Sequence, residues 1–367
     1  MYNKARGDHM KVKRSLFVVA LIALFTACYY IMNQHYDELA RYPHKLSESQ
    51  RELVLSHFNT EEINYLVSQK IEPNQFLPFI EIEGFELNNT LWYDTAYDTQ
   101  KPAKEDKDEK NKEFIVSFIN RYRDQMEYSQ LSELLSSYSY NVLTRFFDEG
   151  DPYIENAKLV PTPSDFLLMM KNRQTVYTYE PKDLVTLNDL PHESITKAND
   201  ITIRKEVVTP LHRLCNAAKE INQKTCGDMR IVAGYISYED EITLYEKAKA
   251  KYGDDATGYW DYPGQSEFQL GYTVQLLPNE VSLTEKTKDE KKEEKKAPSE
   301  EEREQEIWLK DNAYKYGFII RYPKQKEKVT DKKYQPYTLR YVGEELAKYM
   351  HDENLTLEEV NLEDFKK

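Results

Sequence analysis

One stretch, GQSEFQLGYTVQL at residues 264–276, constrains the fold more than any other part of the 367-residue chain. Apolar residues alternate with others after its central glycine, which is the period of a strand with one face in a core. An amphipathic helix at 206–222, a strand at 229–235 and a helix at 238–252 are predicted to precede it. The sequence therefore predicts a domain that mixes helices with strands over residues 179–367.

The chain upstream of this domain has a different character. Residues 49–150 carry apolar residues mainly at helical spacing, so we expect a mainly helical, extracytoplasmic region over 33–178. Two segments, 101–112 and about 285–306, are dense in charges of both signs and nearly free of apolar residues. Such segments do not bury a core, so we predict a solvated loop and a charged insert, respectively.

The N-terminus carries an uncharged apolar run, Ser15–Met32, of the shortest length that spans a bilayer. Basic residues precede it, and the positive-inside rule places residues 1–14 in the cytoplasm and 33–367 outside. The sequence therefore predicts a single-pass anchor in the cell membrane with an extracytoplasmic C-terminal domain. A cleaved signal peptide is one alternative, and a lipoprotein with Cys28 as the lipidated residue is another.

Charge and cysteine content exclude some partners. The net charge of −14 argues against binding nucleic acid, because phosphate recognition needs a basic face. Cys215 and Cys226 lie in the part predicted to be outside, where an oxidising compartment permits a disulfide. A disulfide and two buried free thiols are both compatible with their spacing. No Cys-x-x-Cys or Cys/His cluster indicates a metal site.

Four blocks, in this order, carry a resemblance to a known family: AGYISYEDEITLYEKAKAKYG, PGQSEFQLGYTVQL, WLKDNAYKYGFIIRYP and YQPYTLRYVG. The series resembles D-alanyl-D-alanine carboxypeptidases of VanY type, zinc peptidases that trim peptidoglycan stem peptides. The resemblance covers roughly residues 179–362. It implies an α+β fold in which a small, mainly antiparallel sheet is flanked by helices, here preceded by a mainly helical region and the predicted N-terminal transmembrane helix.

The family pattern implies five catalytic positions, and the sequence departs from the pattern at every one. Ile236 stands where an arginine would steady the substrate carbonyl, and Gln335 where a glutamate would be the general base. Phe268, Gln275 and Thr338 stand at the three zinc-ligand positions. A phenyl ring has no lone pair, and a neutral amide and a hydroxyl are poor zinc donors. We therefore expect neither zinc, the family cofactor, nor any other cofactor.

The residues around these positions complete the predicted site. Phe268 and Ile236 are interpreted as packing residues that fill the former metal cavity. Four neighbours are expected to line the former cleft: Tyr235, Ser237, Ser266 and Tyr337. The imidazoles that a relocated zinc site would have to use are those of His192, His212 and His351.

Three functional hypotheses follow. The favoured one is a membrane-anchored extracytoplasmic pseudoenzyme of the bacterial cell envelope, a non-catalytic binding or regulatory protein whose partner is a peptidoglycan peptide or an envelope protein. The alternative is an active peptidoglycan metallocarboxypeptidase with unconventional ligands. A second alternative is a structural envelope-assembly protein that acts through residues 49–178.

Overall fold

The structure, a computed structural model, describes residues 2–34, 37–99, 108–170, 173–283 and 300–365. These residues fall into two compact units, Met1–Arg123 and Asp124–Lys367. Most of the predicted charged insert at about 285–306, and most of the predicted loop at 101–112, lie outside the described residues.

The first unit is built from helices in its described part. The helices are α1 (Tyr2–Gln34), α2 (Glu48–His57), α3 (Thr60–Gln69), α4 (Pro73–Phe76), α5 (Thr90–Thr99) and α6 (Asp108–Tyr122). Capping boxes begin α2 and α3: the side chains of Ser47 and Asn59 accept backbone N–H groups that the helix itself leaves unpaired. The apolar faces of these two helices pack into one core with Phe76 and Ile80.

The apolar run predicted as a membrane anchor, Ser15–Met32, lies within α1. No helix in the described ranges meets the combined length and apolarity that crossing a bilayer requires. The structure therefore gives no support to the predicted transmembrane helix.

The second unit alternates helices and short strands. Its helices are α7 (Leu131–Ser137), α8 (Tyr140–Glu149), α9 (Lys205–Ala217), α10 (Lys219–Asn222), α11 (Tyr238–Tyr252), α12 (Glu300–Asn312), α13 (Glu327–Thr330) and α14 (Glu344–Asp352). Its strands are β1 (Lys158–Leu159), β2 (Gln174–Thr175), β3 (Leu184–Thr186), β4 (Thr202–Arg204), β5 (Met229–Ala233), β6 (Thr273–Pro278), β7 (Phe318–Tyr322) and β8 (Gln335–Tyr341).

The central element is a four-stranded sheet in the order β5-β6-β8-β7, in which every neighbouring pair is antiparallel. Two smaller pairs, parallel β1-β2 and antiparallel β3-β4, lie outside it. The predicted combination of a small antiparallel sheet with helices is therefore confirmed. Every residue of β5 is buried, including Arg230, whose guanidinium donates to Glu193 and to the backbone carbonyl of Pro278. Because both faces are covered, the strand shows no alternation of apolar and polar residues in the sequence.

The disulfide question left open by the sequence has an answer in the structure. Cys215 in α9 and Cys226 in the turn before β5 form a disulfide, and both residues are fully buried. The bond ties the end of α9 to the beginning of the central sheet.

Candidate active-site remnant

The central sheet brings the five family positions together. Ile236 follows β5, where Ser237 begins α11 by accepting a hydrogen bond from the backbone N–H of Asp240. Phe268 lies in the turn before β6, and Gln275 lies within β6. Because β6 and β8 are antiparallel neighbours, their register places Gln275 directly opposite Thr338.

The turn that carries Phe268 is held in shape by a glycine. Gly271 has a φ of +77°, a backbone conformation that side chains disfavour, and a Cβ there would lie 3.0 Å from Cγ of Arg204. The backbone N–H of Gly271 donates to the carbonyl of Phe268, which closes the turn. The glycine of the opening stretch therefore fixes the direction in which the chain enters β6.

Phe268 and Ile236 belong to one apolar cluster. They pack with Ala233, and the partly buried Trp260 and Leu244 cover them. The rings of Phe268 and Trp260 stack with centroids 5.5 Å apart and an angle of 3° between their planes. The two positions that the family resemblance assigns to a zinc ligand and to an arginine thus hold apolar side chains packed against one another.

The three polar positions form the other half of the site. Thr338 is fully buried and donates its hydroxyl to Oε1 of Gln335 at 3.0 Å. Gln335 donates in turn to the backbone carbonyl of Tyr259 at 3.4 Å. Gln275 is half-buried, and its side-chain amide makes no hydrogen bond within the described part of the chain. Thr338 and Gln335 are therefore hydrogen-bonded to each other, and Gln275 lies in the lining of the adjoining pocket.

A pocket of about 380 Å³ remains beside these side chains. Its described lining consists of Ala248, Tyr252, Tyr259, Trp260, Gln275, Tyr334, Gln335, Pro336, Tyr337 and Thr338. Aromatic rings make up its walls, and amide and hydroxyl groups make up its polar surface. None of these lining residues is an acid or a base.

The four residues predicted to line the cleft are not all found there. Tyr337 lines the pocket, whereas Tyr235, Ser237 and Ser266 are not in the described lining. The hydroxyl of Ser237 caps α11, and that of Ser266 accepts the backbone N–H of Phe268 at 3.2 Å. Both serines therefore serve local backbone structure. Tyr235 is half-buried, and its burial together with nearby carboxylates raises the pKa of its phenol.

The donor set does not fit zinc. Catalytic zinc takes three protein ligands with strong lone pairs, usually imidazole, carboxylate or thiolate. The stacked Phe268 ring offers none, and Thr338 already donates its hydroxyl proton to Gln335. His192, His212 and His351, the histidines considered for a relocated zinc site, form no metal-binding cluster either. Across the described ranges, no three residues among His, Cys, Asp and Glu lie close enough to hold a metal ion.

One buried carboxyl was missed from the sequence. Glu241 is fully buried in α11, and its Oε2 accepts a hydrogen bond from Nε1 of Trp260 at 2.5 Å. Burial raises the pKa of Glu241 to about 8, and the charges of Asp261 and Asp240 add to this, against the opposing effect of Ser266 and Trp260. Its Oε1 has no well-formed hydrogen bond. The carboxyl is therefore largely protonated at neutral pH.

The sequence did contain a signal for Glu241. It lies three residues after Tyr238 and four before Tyr245, both of which are buried on the same face of α11. That spacing directs an acidic side chain into the core, where a carboxyl needs a partner. The partner, Trp260, comes 19 residues later along the chain. The local sequence pattern therefore does not predict that Trp260 is the partner of Glu241.

A buried ion network lies next to the aromatic stack. Glu267, the residue before Phe268, accepts from Nε of Arg321 at 2.8 Å, and Arg321 also pairs with Glu358 at 2.8 Å. Burial alone would raise the pKa of Glu267, but the charges of Arg321 and Arg340 outweigh it and lower this pKa. The carboxylate of Glu267 is thus held by arginines and directed away from any metal role.

Comparisons with known proteins agree on one family. The family model for VanY D-alanyl-D-alanine carboxypeptidase matches residues 200–344. The Bacillus subtilis protein YodJ is 34% identical over 213 residues, which cover 56% of this chain and 70% of YodJ. A D-alanyl-D-alanine carboxypeptidase of Enterococcus faecium is 31% identical over 255 residues, which cover 67% of this chain and 75% of that protein.

A solved structure is also similar to part of this chain. The LdcB LD-carboxypeptidase structure covers 56% of this chain and 90% of its own, at 32% identity and a TM-score of 0.45. The family model matches the segment that carries β5, β6, β7 and β8, the strands that gather the five substituted positions. This chain belongs to the VanY D-alanyl-D-alanine carboxypeptidase family.

Proposed function

We propose that this protein is a non-catalytic member of its family, a binding or regulatory protein of the bacterial cell envelope. The observation that supports the proposal most strongly is the stack of Phe268 on Trp260, with Ile236 packed in the same cluster. A zinc ligand and an oxyanion-stabilising cation are replaced there by a tightly packed apolar cluster. A pocket nevertheless remains beside it, which a binding protein needs and a mere spacer does not.

The proton-transfer chemistry is also missing. Hydrolysis at a metal needs a group that takes a proton from the attacking water. Gln335 is an amide and cannot act as that base, and its Oε1 is already engaged by Thr338. Glu241 is an acid near the site, but it is enclosed in the core and bound to Trp260. We therefore assign it a structural role.

We propose an extracytoplasmic location for this domain. The buried disulfide between Cys215 and Cys226 supports it, because such bonds persist in oxidising compartments and are rare in the cytosol. Attachment to the cell membrane through residues 15–32 was expected from the sequence alone. A fractionation of cells that express the chain with and without residues 1–32 tests both points.

Metal content and hydrolysis together test the loss of catalysis. The purified full chain is dialysed against trace zinc, its metal is measured, and it is then incubated with a peptide that ends in D-Ala-D-Ala. We expect no bound zinc and no release of D-alanine. A variant that restores the family residues, I236R/F268H/Q275D/Q335E/T338H, serves as the positive control for metal loading. One zinc per wild-type chain, with hydrolysis that a chelator stops, would establish the alternative of an active metallocarboxypeptidase.

A second candidate function rests on the first unit. A pocket of about 670 Å³ there is lined in part by the apolar residues Phe58, Ile80 and Phe85 and by the acidic residues Glu61 and Glu62. Such a pocket suits a role in envelope assembly through residues 49–178. Deletion of residues 179–367 without loss of localisation or partner binding would favour this function over the first.

A further inference from the structure

We propose that the pocket beside β8 binds an uncharged carbohydrate ring. This inference rests on the proposed function, since it takes the site to be one of binding rather than hydrolysis. Three observations carry it: the absence of charge in the described lining, the fixed aromatic faces, and one amide that has no hydrogen-bond partner among the residues the structure describes.

The described lining favours a neutral ligand. No acid or base is present among the lining residues that the structure describes. A carboxylate or an ammonium group would lose its hydration on entering and would gain no counter-charge, which is a large cost. The position from which a family arginine would act holds Ile236, which is 1% exposed and buried in the apolar cluster. The charged end of a peptide is therefore a poor match for this pocket.

The aromatic faces are held in place before any ligand arrives. Tyr252 and Tyr259 stack with centroids 3.8 Å apart at an angle of 13°, and Nζ of Lys251 lies over the ring of Tyr252 at 5.2 Å, so the face that this pair leaves for a ligand is that of Tyr259. Trp260 is fixed twice, by its stack on Phe268 and by its hydrogen bond to Glu241. Rings that are already ordered lose little conformational entropy on binding. Their faces carry partial negative charge, which attracts the weakly positive C–H groups on the face of a sugar ring.

The polar groups distinguish a sugar from a proline-rich peptide, the other usual ligand of an aromatic groove. A proline-rich peptide offers mainly backbone carbonyls, which accept hydrogen bonds. The indole N–H of Trp260, which could donate to such a carbonyl, already donates to Glu241. Gln275 presents both donors and an acceptor and has no partner in the described chain. Sugar hydroxyls both donate and accept, so they match both ends of an amide. The pocket volume of about 380 Å³ lies at the lower end of the range for ligand sites, so it suits one ring of an oligosaccharide rather than a larger ligand.

The test is a calorimetric titration of the full chain with a neutral tetramer of N-acetylglucosamine. We expect saturable binding that weakens about tenfold or more in Gln275→Leu, because the amide's hydrogen bonds are lost while its size is kept. Gln125→Leu, an exposed glutamine that is not among the described lining residues, should bind like the wild type. Tyr259→Leu is a second pocket variant, which keeps the test decisive if Gln275→Leu does not fold.

The outcomes separate this inference from the function beneath it. The carbohydrate assignment is overturned if the folded wild type does not bind the tetramer. It is also overturned if Gln275→Leu and Tyr259→Leu both bind the tetramer as tightly as the wild type does. Binding of a proline-rich peptide in its place overturns it as well. If purified peptidoglycan is still bound in those cases and no zinc is present, the proposed function stands without its carbohydrate ligand. Zinc-dependent release of D-alanine would instead overturn the proposed function itself.

Discussion

The buried carboxyl of Glu241 makes the stability of the second unit depend on pH. Its pKa rises from 4.5 to about 8 on folding, chiefly because burial disfavours the charged form. The folded state therefore keeps a proton that the unfolded state has released at intermediate pH. The contribution of Glu241 to the free energy of unfolding is therefore fully present below about pH 4.5 and is lost progressively as the pH rises through about 8.

The magnitude follows from the same shift. One pKa unit corresponds to about 1.4 kcal/mol, so a shift from 4.5 to about 8 amounts to roughly 5 kcal/mol between those limits. The substitution Glu241→Gln keeps the shape and the oxygen that accepts from Trp260 but has no proton to lose. We expect the variant to gain about 1.4 kcal/mol relative to the wild type for each pH unit across this range.

Urea unfolding at half-unit pH steps, with the disulfide oxidised, measures the difference directly. All other titrating groups are shared by the two proteins and cancel in the comparison. Glu239→Gln, in the same first turn of α11 but exposed, is the matched control and should show no such slope relative to the wild type. Parallel curves for wild type and Glu241→Gln between pH 5 and 8 would refute the assignment of a buried, protonated carboxyl.

Three further variants, two single and one double, test contacts within the second unit, each by the change in the free energy of unfolding in urea. Arg321→Met should cost about 3–5 kcal/mol, because it leaves the buried carboxylate of Glu267 without its main partner; a cost under 1 kcal/mol would contradict this. Replacing Cys215 and Cys226 by alanine together opens a short loop and should cost about 3 kcal/mol, an effect that reduction of the wild type should reproduce. Gly264→Ala should cost about 1–3 kcal/mol, since φ is +84° and the new Cβ would lie 2.4 Å from a threonine hydroxyl; unchanged stability would refute the strain.

Local periodicity predicted the parts of the fold that depend on neighbours in sequence. The alternation after Gly271 predicted β6, and the mainly apolar segment 229–235 predicted β5, the two neighbouring strands at one edge of the central sheet. The packing of Phe268 and Ile236 was predicted from their chemistry alone. Their common partner Trp260 was not, because that contact depends on how the chain returns between α11 and β6.

Side-chain direction explains the less successful part of the cleft prediction. Ser237 and Ser266 adjoin family positions in sequence, yet both turn their hydroxyls to local backbone N–H groups. Proximity in sequence does not fix which way a side chain points at a helix start or in a turn. The aromatic walls were missed for a related reason: Tyr259 lies in the turn between the first two family blocks, and the stack of Tyr252, at the end of the first block, on this ring depends on how that turn folds.

The stack of Phe268 on Trp260 also bears on the choice of chemical probes. Compounds that inhibit zinc peptidases often owe their affinity to a head group that binds the metal, such as a hydroxamate or a phosphinate. At this site such a head group would face two carbon rings, 5.5 Å apart and nearly parallel. A resin that carries such a head group should therefore not retain this protein from an extract in which it retains zinc-loaded relatives, which gives a practical way to tell them apart.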